Sequence, residues 1–178
     1  MKKIALFGGT FDPIHFGHLH LALEMSERHG LDEVLFVPAN LSPFKQQTPP
    51  AAAAADRLEM VRLGVAPIDT FSVLDWEIKR GGVSYTIDTL LQLQAESSEL
   101  YLILADELLE GIHGWHRSEE LLQMCRLLTG GRSPNAKMPV LEISSTWVRE
   151  RIGSGKYCGH LVPAPVLQYI QANRLYQS

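Results

Sequence analysis

Two histidines three residues apart, His15 and His18, close the string Gly8-Gly9-Thr10-Phe11-Asp12-Pro13-Ile14-His15-Phe16-Gly17-His18. The string follows a short apolar run, Ile4-Ala5-Leu6-Phe7, and precedes an amphipathic segment, which reads as strand, glycine turn and helix start. Gly8 and Gly9 let the backbone approach a ligand without a Cβ in the way. A helix N-terminus just beyond offers unpaired N–H groups and the positive end of the helix dipole to an anion. If the helix has begun at His15, the two imidazoles lie on one face of it. Imidazoles beside an anion site suit phosphate chemistry, although the same spacing also serves metal ligation or a capped helix start.

Two further strings carry polar groups at helix starts. In Ile143-Ser144-Ser145-Thr146-Trp147-Val148-Arg149, hydroxyls at the first turn and an arginine one turn in make a polyphosphate cradle, or simply an N-cap with a solvated arginine. Gly82-Val83-Ser84-Tyr85-Thr86-Ile87-Asp88-Thr89-Leu90 is another helix start, able to hold a carboxylate or phosphate, or a plain capped helix. Trp115, in Gly114-Trp115-His116-Arg117, is a packing anchor or a stacking surface for a flat ligand.

The elements that must position these groups alternate between strand-like and helix-like patterns, which predicts an α/β fold with a parallel sheet and crossover helices. Strands are expected at Lys3–Phe7, Val34–Val37 (stopped by Pro38), Phe71–Ile78, Leu100–Leu104, Arg126–Thr129 and Val140–Ile143. The first helix should run from about His15 to His29 and end at Gly30, with Leu19, Ala22, Leu23 and Ser26 as its apolar stripe. After a long loop from Ala39 to Pro50, Thr48-Pro49 should open a helix carrying Leu58, Val61 and Val65. The Ala51–Ala55 run within it favours helix and shows no chemistry. Ser84 should cap a helix through Ile87, Leu90, Leu91 and Gln94, and Ser118 a short one with Glu119 and Glu120 in its first turn. Helices are also expected from Ser144-Ser145-Thr146 through Ile152, and from Pro163 or Pro165 through Val166, Leu167 and Ile170. Asp106 falls just past the carboxyl end of the Leu100–Leu104 strand. That is the sheet edge where ligands bind in open α/β folds, so it joins the Gly8–His18 loop there.

The chain has 178 residues, 46% hydrophobic and 20% charged, which suits one domain over 1–178 with a full core. A net charge of −4 gives no global basic field for nucleic acid. Cys125 and Cys158 are the only cysteines and lack CxxC spacing, so neither a disulfide scaffold nor a structural zinc site is expected. No apolar run reaches 18 residues, and the run after Lys2-Lys3 is too short for a signal peptide, which makes the cytoplasm the default compartment and a membrane partner unexpected.

GGTFDPIHFGH resembles the signature of nucleotidyltransferases that move a nucleotidyl group from a triphosphate. The chain as a whole resembles bacterial nicotinate-nucleotide adenylyltransferases. The likeness continues through VPANLSPFK around Lys45, RLEM at Arg57–Met60, SYTIDTL, Asp106 with Trp115, ISSTWVR, and the closing LVPAPVLQYIQANRLY.

The resemblance implies a Rossmann-like fold and transfer of AMP from ATP to nicotinate mononucleotide, with Mg²⁺ travelling on the ATP and no protein metal cage. It implies catalytic roles for His15, His18 and Arg149. ATP contacts would come from Gly8, Gly9, Thr10, Phe11, Lys45, Ser145 and Thr146. Ser84, Tyr85, Thr86, Asp106 and Trp115 would bind the mononucleotide, with Thr86 and the backbone near Tyr85 on the carboxylate, Trp115 on the pyridine ring and Asp106 on a ribose hydroxyl.

Leu104 departs from the family, which usually has glycine two residues before the aspartate; its side chain either turns into the core or alters the nucleoside site. Thr129-Gly130-Gly131-Arg132 matches the family's turn there only loosely. The competing readings are a related adenylyltransferase using nicotinamide mononucleotide or phosphopantetheine, and a nucleotide-binding regulatory module that has lost catalysis. The oligomeric state is open, a homo-oligomer included.

Overall fold

The computed structural model describes residues 1–94, 98–130 and 141–177. The chain runs β1 (Lys3–Gly9), α1 (Phe16–His29), β2 (Glu33–Pro38), α2 (Ala54–Val65), β3 (Phe71–Val73), α3 (Trp76–Arg80), α4 (Thr86–Leu93), β4 (Glu99–Ala105), α5 (Asp106–Leu109), α6 (Ser118–Met124), β5 (Arg126–Gly130), α7 (Ser145–Gly153) and α8 (Ala164–Ala172), with single 3₁₀ turns at Pro43–Lys45 and Ile112–Gly114. All strand pairs are parallel, in the order β3-β2-β1-β4-β5. The chain builds outward from β1 through β2 to β3, then returns to place β4 on the other side of β1. The β1/β4 boundary is therefore the topological switch point, where a crevice opens beyond the carboxyl ends of the strands. Gly8 and Gly9 end one of those strands, Leu104 and Ala105 the other. This is the expected α/β, Rossmann-like architecture.

Strand residues alternate between two apolar layers because successive side chains point to opposite faces. Ala5, Phe7, Val34, Phe36, Tyr101, Ile103 and Leu128 pack under α1, α2 and α8; Ile4, Leu6, Leu35, Val37, Leu100, Leu102 and Leu104 pack against α4 and α6. Burial on both faces explains why these strands read as continuous apolar runs.

Several boundaries differ from expectation. In α1 the buried side is Leu19, Leu21, Ala22, Met25 and Ser26, while Leu23 faces outward. Helix α2 starts at Ala54 rather than at Thr48-Pro49, because the N–H groups of Ala51 and Ala52 bond the Asp12 carboxylate at 2.8 and 3.1 Å. Phe71–Ile78 is not one strand: pairing with β2 ends at Val73, and Trp76 begins α3. Ser84 does not cap α4; its hydroxyl accepts the Asn40 N–H at 2.9 Å, and Tyr85 takes the N-cap position without a side-chain bond. Ser118 is the first residue of α6 instead of its cap, and its hydroxyl donates to the His113 carbonyl at 2.9 Å. Leu141–Ile143 forms no strand; Val140, Gly131 and Arg132 lie outside the described residues.

Candidate active site

His15 and His18 do two jobs at once. His15 is the N-cap of α1, and its Nδ1 accepts the His18 N–H at 3.3 Å; His18 Nδ1 accepts the His15 N–H at 3.2 Å. Each Nδ1 is therefore an acceptor. The proton of each neutral ring then sits on Nε2, which points a donor away from the helix. The rings stack with centroids 3.6 Å apart and 21° between planes. Burial pulls His15 down to about 4. Burial, then the charges of His15 and Lys45, hold His18 well below the ordinary histidine range. Both rings are held in the neutral form, each with an N–H donor at Nε2.

Glycine keeps the backbone clear of a ring twice beside this pair. A Cβ on Gly17 would lie 3.0 Å from Cε1 and Nδ1 of His15, and one on Gly9 would lie 2.9 Å from the Phe11 ring. Phe11 itself has φ 49°, a left-handed conformation uncommon outside glycine, and its ring packs edge-on to Phe7 and His18. Gly8 differs: a Cβ there would meet nothing within 4 Å, because the residue faces open space at the crevice.

The crevice has two adjoining lobes, of about 580 and 710 Å³. Gly8, Gly9, Phe11, His18, Lys45 and Ser145 line both and mark the junction. Ser84, Tyr85, Thr86, Trp115 and Thr10 line only the first lobe; His15, Thr146, Arg149 and Asp106 line only the second. The sequence-predicted residues thus converge, with two regroupings. Thr10, expected with the ATP residues, lines only the lobe of Thr86 and Trp115. Asp106, expected with the mononucleotide residues, faces the lobe of His15 and Arg149. Leu104 does both things its position allowed: it is 3% exposed within the second apolar layer, and it walls both lobes.

Each lobe has its own chemistry. In the first, α4 starts with no side-chain cap, and Tyr85 and Thr86 at that start line the lobe, although the Asp88 N–H is taken by the Tyr85 carbonyl at 3.1 Å. Trp115 stands opposite, 5.9 Å from the Phe44 ring carried by the Ala39–Pro50 loop. Tyr85 lies against His116 at 4.4 Å. In the second lobe, Ser144 caps α7 through the Trp147 N–H, and Arg149 donates to the Asp12 carbonyl at 2.7 Å and to Thr146 Oγ1 at 3.3 Å. The Ser145 hydroxyl proton is engaged on the Pro13 carbonyl at 2.9 Å, so this residue meets a ligand through its oxygen or its backbone. Burial and the neighbouring Arg149 charge lower Lys45 from its usual range.

Residues that sequence reasoning missed hold this frame together. Arg57, 1% exposed, donates to the carbonyls of Thr10, Ala39, Asn40 and Ala52 at 2.7–3.3 Å, pinning the β1–α1 loop and both ends of the β2–α2 connection to α2. Its sequence signal is a charge on the buried face, in step with Met60, Val61 and Gly64. Glu77, also buried, accepts the Thr89 hydroxyl at 2.8 Å, and burial raises its carboxyl while bonds from Thr89 and Ser84 oppose the shift. It backs the Ser84–Thr86 turn. Nothing local marks Asp12 or Tyr176, whose hydroxyl donates to Asp12 Oδ1 at 2.7 Å across 164 residues.

A parallel sheet with a glycine turn, paired histidine donors and a second cationic helix start at its switch point defines a Rossmann-like nucleotidyltransferase. Comparison with known proteins agrees: the cytidylyltransferase-like family model matches residues 6–151. Proteins named "Probable nicotinate-nucleotide adenylyltransferase" from Dehalococcoides mccartyi and Pseudomonas fluorescens are 40% and 38% identical, covering 98% and 99% of this chain and 97% and 98% of theirs. The Plasmodium falciparum nicotinic acid mononucleotide adenylyltransferase complexed with NaAD shares the fold, with a TM-score of 0.79 at 18% identity over 99% of this chain and 98% of that one. The chain belongs to the cytidylyltransferase-like family and, within it, to the nicotinate-nucleotide adenylyltransferases.

Proposed function

We propose that this protein transfers AMP from MgATP to nicotinate mononucleotide, giving deamido-NAD and pyrophosphate. A phosphate oxygen of the mononucleotide attacks the α-phosphorus, the bond from that phosphorus to the α–β bridging oxygen breaks, and pyrophosphate leaves carrying the negative charge. The observation that supports this most is the stacked histidine pair, with both Nδ1 atoms capping α1 and His18 at the junction of an aromatic lobe at the α4 start and a lobe that holds Arg149 and the α7 start. Phosphoryl-type transfer needs chiefly positioning and charge stabilisation, and fixed N–H donors supply both.

His15 and His18 donate through Nε2 to the α-phosphate and the departing bridge. Arg149, Lys45 and the α7 start hold the β- and γ-phosphates. Gly8, Gly9, Thr10 and Phe11 let the triphosphate pass close to β1. The α4 start at Thr86 takes the nicotinate carboxylate, and Trp115 stacks on the pyridine ring. Donors at a helix start favour a carboxylate over an amide, which selects the acid mononucleotide. Asp106, in the second lobe, binds a ribose hydroxyl from that side. Mg²⁺ arrives with ATP as part of the substrate. One catalytic domain spans 1–178 and works in the cytoplasm; no helix among the described residues is long and apolar enough to cross a membrane.

The test is pyrophosphate release from MgATP by the purified protein, run in parallel with nicotinate mononucleotide, nicotinamide mononucleotide and phosphopantetheine. Strong preference for the acid mononucleotide is expected. Release with only another acceptor would overturn the assignment of the Thr86–Trp115 lobe, and ATP binding without release would replace the enzyme by a regulatory module.

A further inference from the structure

Asp12 is a buried carboxylate, 3% exposed, that the transfer step does not use. Its Oδ2 accepts the Ala51 N–H at 2.8 Å and lies 3.8 Å from Arg149 Nη1; its Oδ1 accepts the Ala52 N–H at 3.1 Å and the Tyr176 hydroxyl at 2.7 Å. The same Arg149 nitrogen donates to the Asp12 carbonyl at 2.7 Å. One residue thus gathers the glycine turn, the approach to α2, the catalytic helix α7 and the segment following α8.

Tyr176 reaches Asp12 through a backbone that local preference does not favour. Arg174 and Tyr176 have φ of 53° and 61°, left-handed values that L residues adopt at a cost. The offsetting interaction is a hydrogen bond to a buried charge, among the stronger kinds. Burial and the Asp12 charge push the Tyr176 hydroxyl far above the ordinary tyrosine range, so it stays a donor wherever the protein is folded.

We propose that Tyr176 is a positioning residue: its hydroxyl latches the segment after α8 onto Asp12, and Asp12 holds the Arg149 guanidinium and the Ala51–Ala52 turn in register with His15 and His18. The inference rests on the adenylyl-transfer reading. Losing the hydroxyl leaves Asp12 one donor short and frees it to turn toward Arg149, drawing that cation off the phosphates. The consequence is a loss in kcat. KM for the mononucleotide changes much less, because Asp12, although it borders the first lobe, has among the described residues no hydrogen bond to α4 or Trp115.

Tyr169 provides the control. It sits on α8, and its hydroxyl donates to Asp56 at 2.9 Å, a bond of the same kind between α8 and α2. Tyr176→Phe and Tyr169→Phe are compared with the wild type by steady-state kinetics well below their melting temperatures, with amide exchange read at Ala51 and Ala52. Tyr176→Phe should lose about tenfold in kcat, keep its mononucleotide KM within about twofold and exchange both amides about tenfold faster, the loss expected for one bond to a charged group. Tyr169→Phe should leave all three readouts near wild type. Equal kcat losses in the two variants, or unchanged kcat and unchanged exchange in Tyr176→Phe, would overturn the latch. A wild type inactive with every acceptor would instead refute the reaction, and exchange at Ala51 and Ala52 alone would then decide the latch.

Discussion

Replacing Gly17 by alanine separates the two duties of the histidine pair. Gly17 is the second residue of α1, where alanine is favoured over glycine by about 0.5–1 kcal/mol on helix propensity. The added methyl, however, would lie 3.0 Å from His15 Cε1 and Nδ1, and 3.3 Å from the Leu141 carbonyl. Comfortable contact begins near 3.5 Å, so the imidazole must retreat by about 0.5 Å. Its retreat is opposed by the stack on His18 and by the 3.3 Å bond from the His18 N–H. Weakening that cap costs about 1 kcal/mol, which cancels the propensity gain and leaves the melting temperature within a few degrees of wild type. Catalysis has no such cancellation. A misplacement of about 1 Å can cost about 10²-fold, and one transition-state donor is worth about 10²–10³-fold, so a shift of half that size should lower kcat about 10–100-fold. Pyrophosphate release with saturating substrates, beside a thermal melt, reads both quantities. A stable Gly17→Ala protein with kcat within twofold of wild type would show that the aim of His15 does not matter, and the donor mechanism would fall with it.

Other outcomes follow from the same geometry. His18→Ala should lose about two to three orders of magnitude in turnover, as for one transition-state donor, and near-normal turnover would exclude His18 from the chemistry. Trp115→Ala should raise the mononucleotide KM about tenfold with little change in kcat, on the scale of one aromatic stack; an unchanged KM removes Trp115 from the site. His15 also makes stability pH-dependent. Its folded value of about 4 lies below the unfolded value near 6.5, so the unfolded chain binds the proton first as pH falls. Stability should be full above about pH 6.5 and decline by about 3 kcal/mol toward pH 4, with His18 acting in the same direction. Urea midpoints across that range should fall less steeply for His15→Gln, and equal slopes would show that His15 is not neutral and buried as described.

What could be read from the chain alone was whatever is local and periodic. Continuous apolar runs marked β1, β2 and β4, since strands buried on both faces need them. The glycine turn, the histidine spacing and the hydroxyl-rich start of α7 were visible because each acts over a few residues. Short elements were not: Phe71–Ile78 alternates well enough for a strand, and only the loss of pairing after Val73 frees Trp76–Arg80 to turn into helix. Likewise the alanine run favours helix everywhere, yet Asp12 takes its first N–H groups and delays the start.

The site itself divides along the same line. Every residue that the sequence singled out for the site lines the crevice, but their grouping into two lobes depends on the tertiary fold, which placed Asp106 with Arg149 rather than with Trp115. Sequence could not assign the protonation of His15 and His18, because burial and the reciprocal Nδ1 bonds settle it. Nor could it reveal Arg57 holding four carbonyls or Tyr176 holding Asp12: these contacts join segments that meet only after folding, and propensity carries no information across such separations.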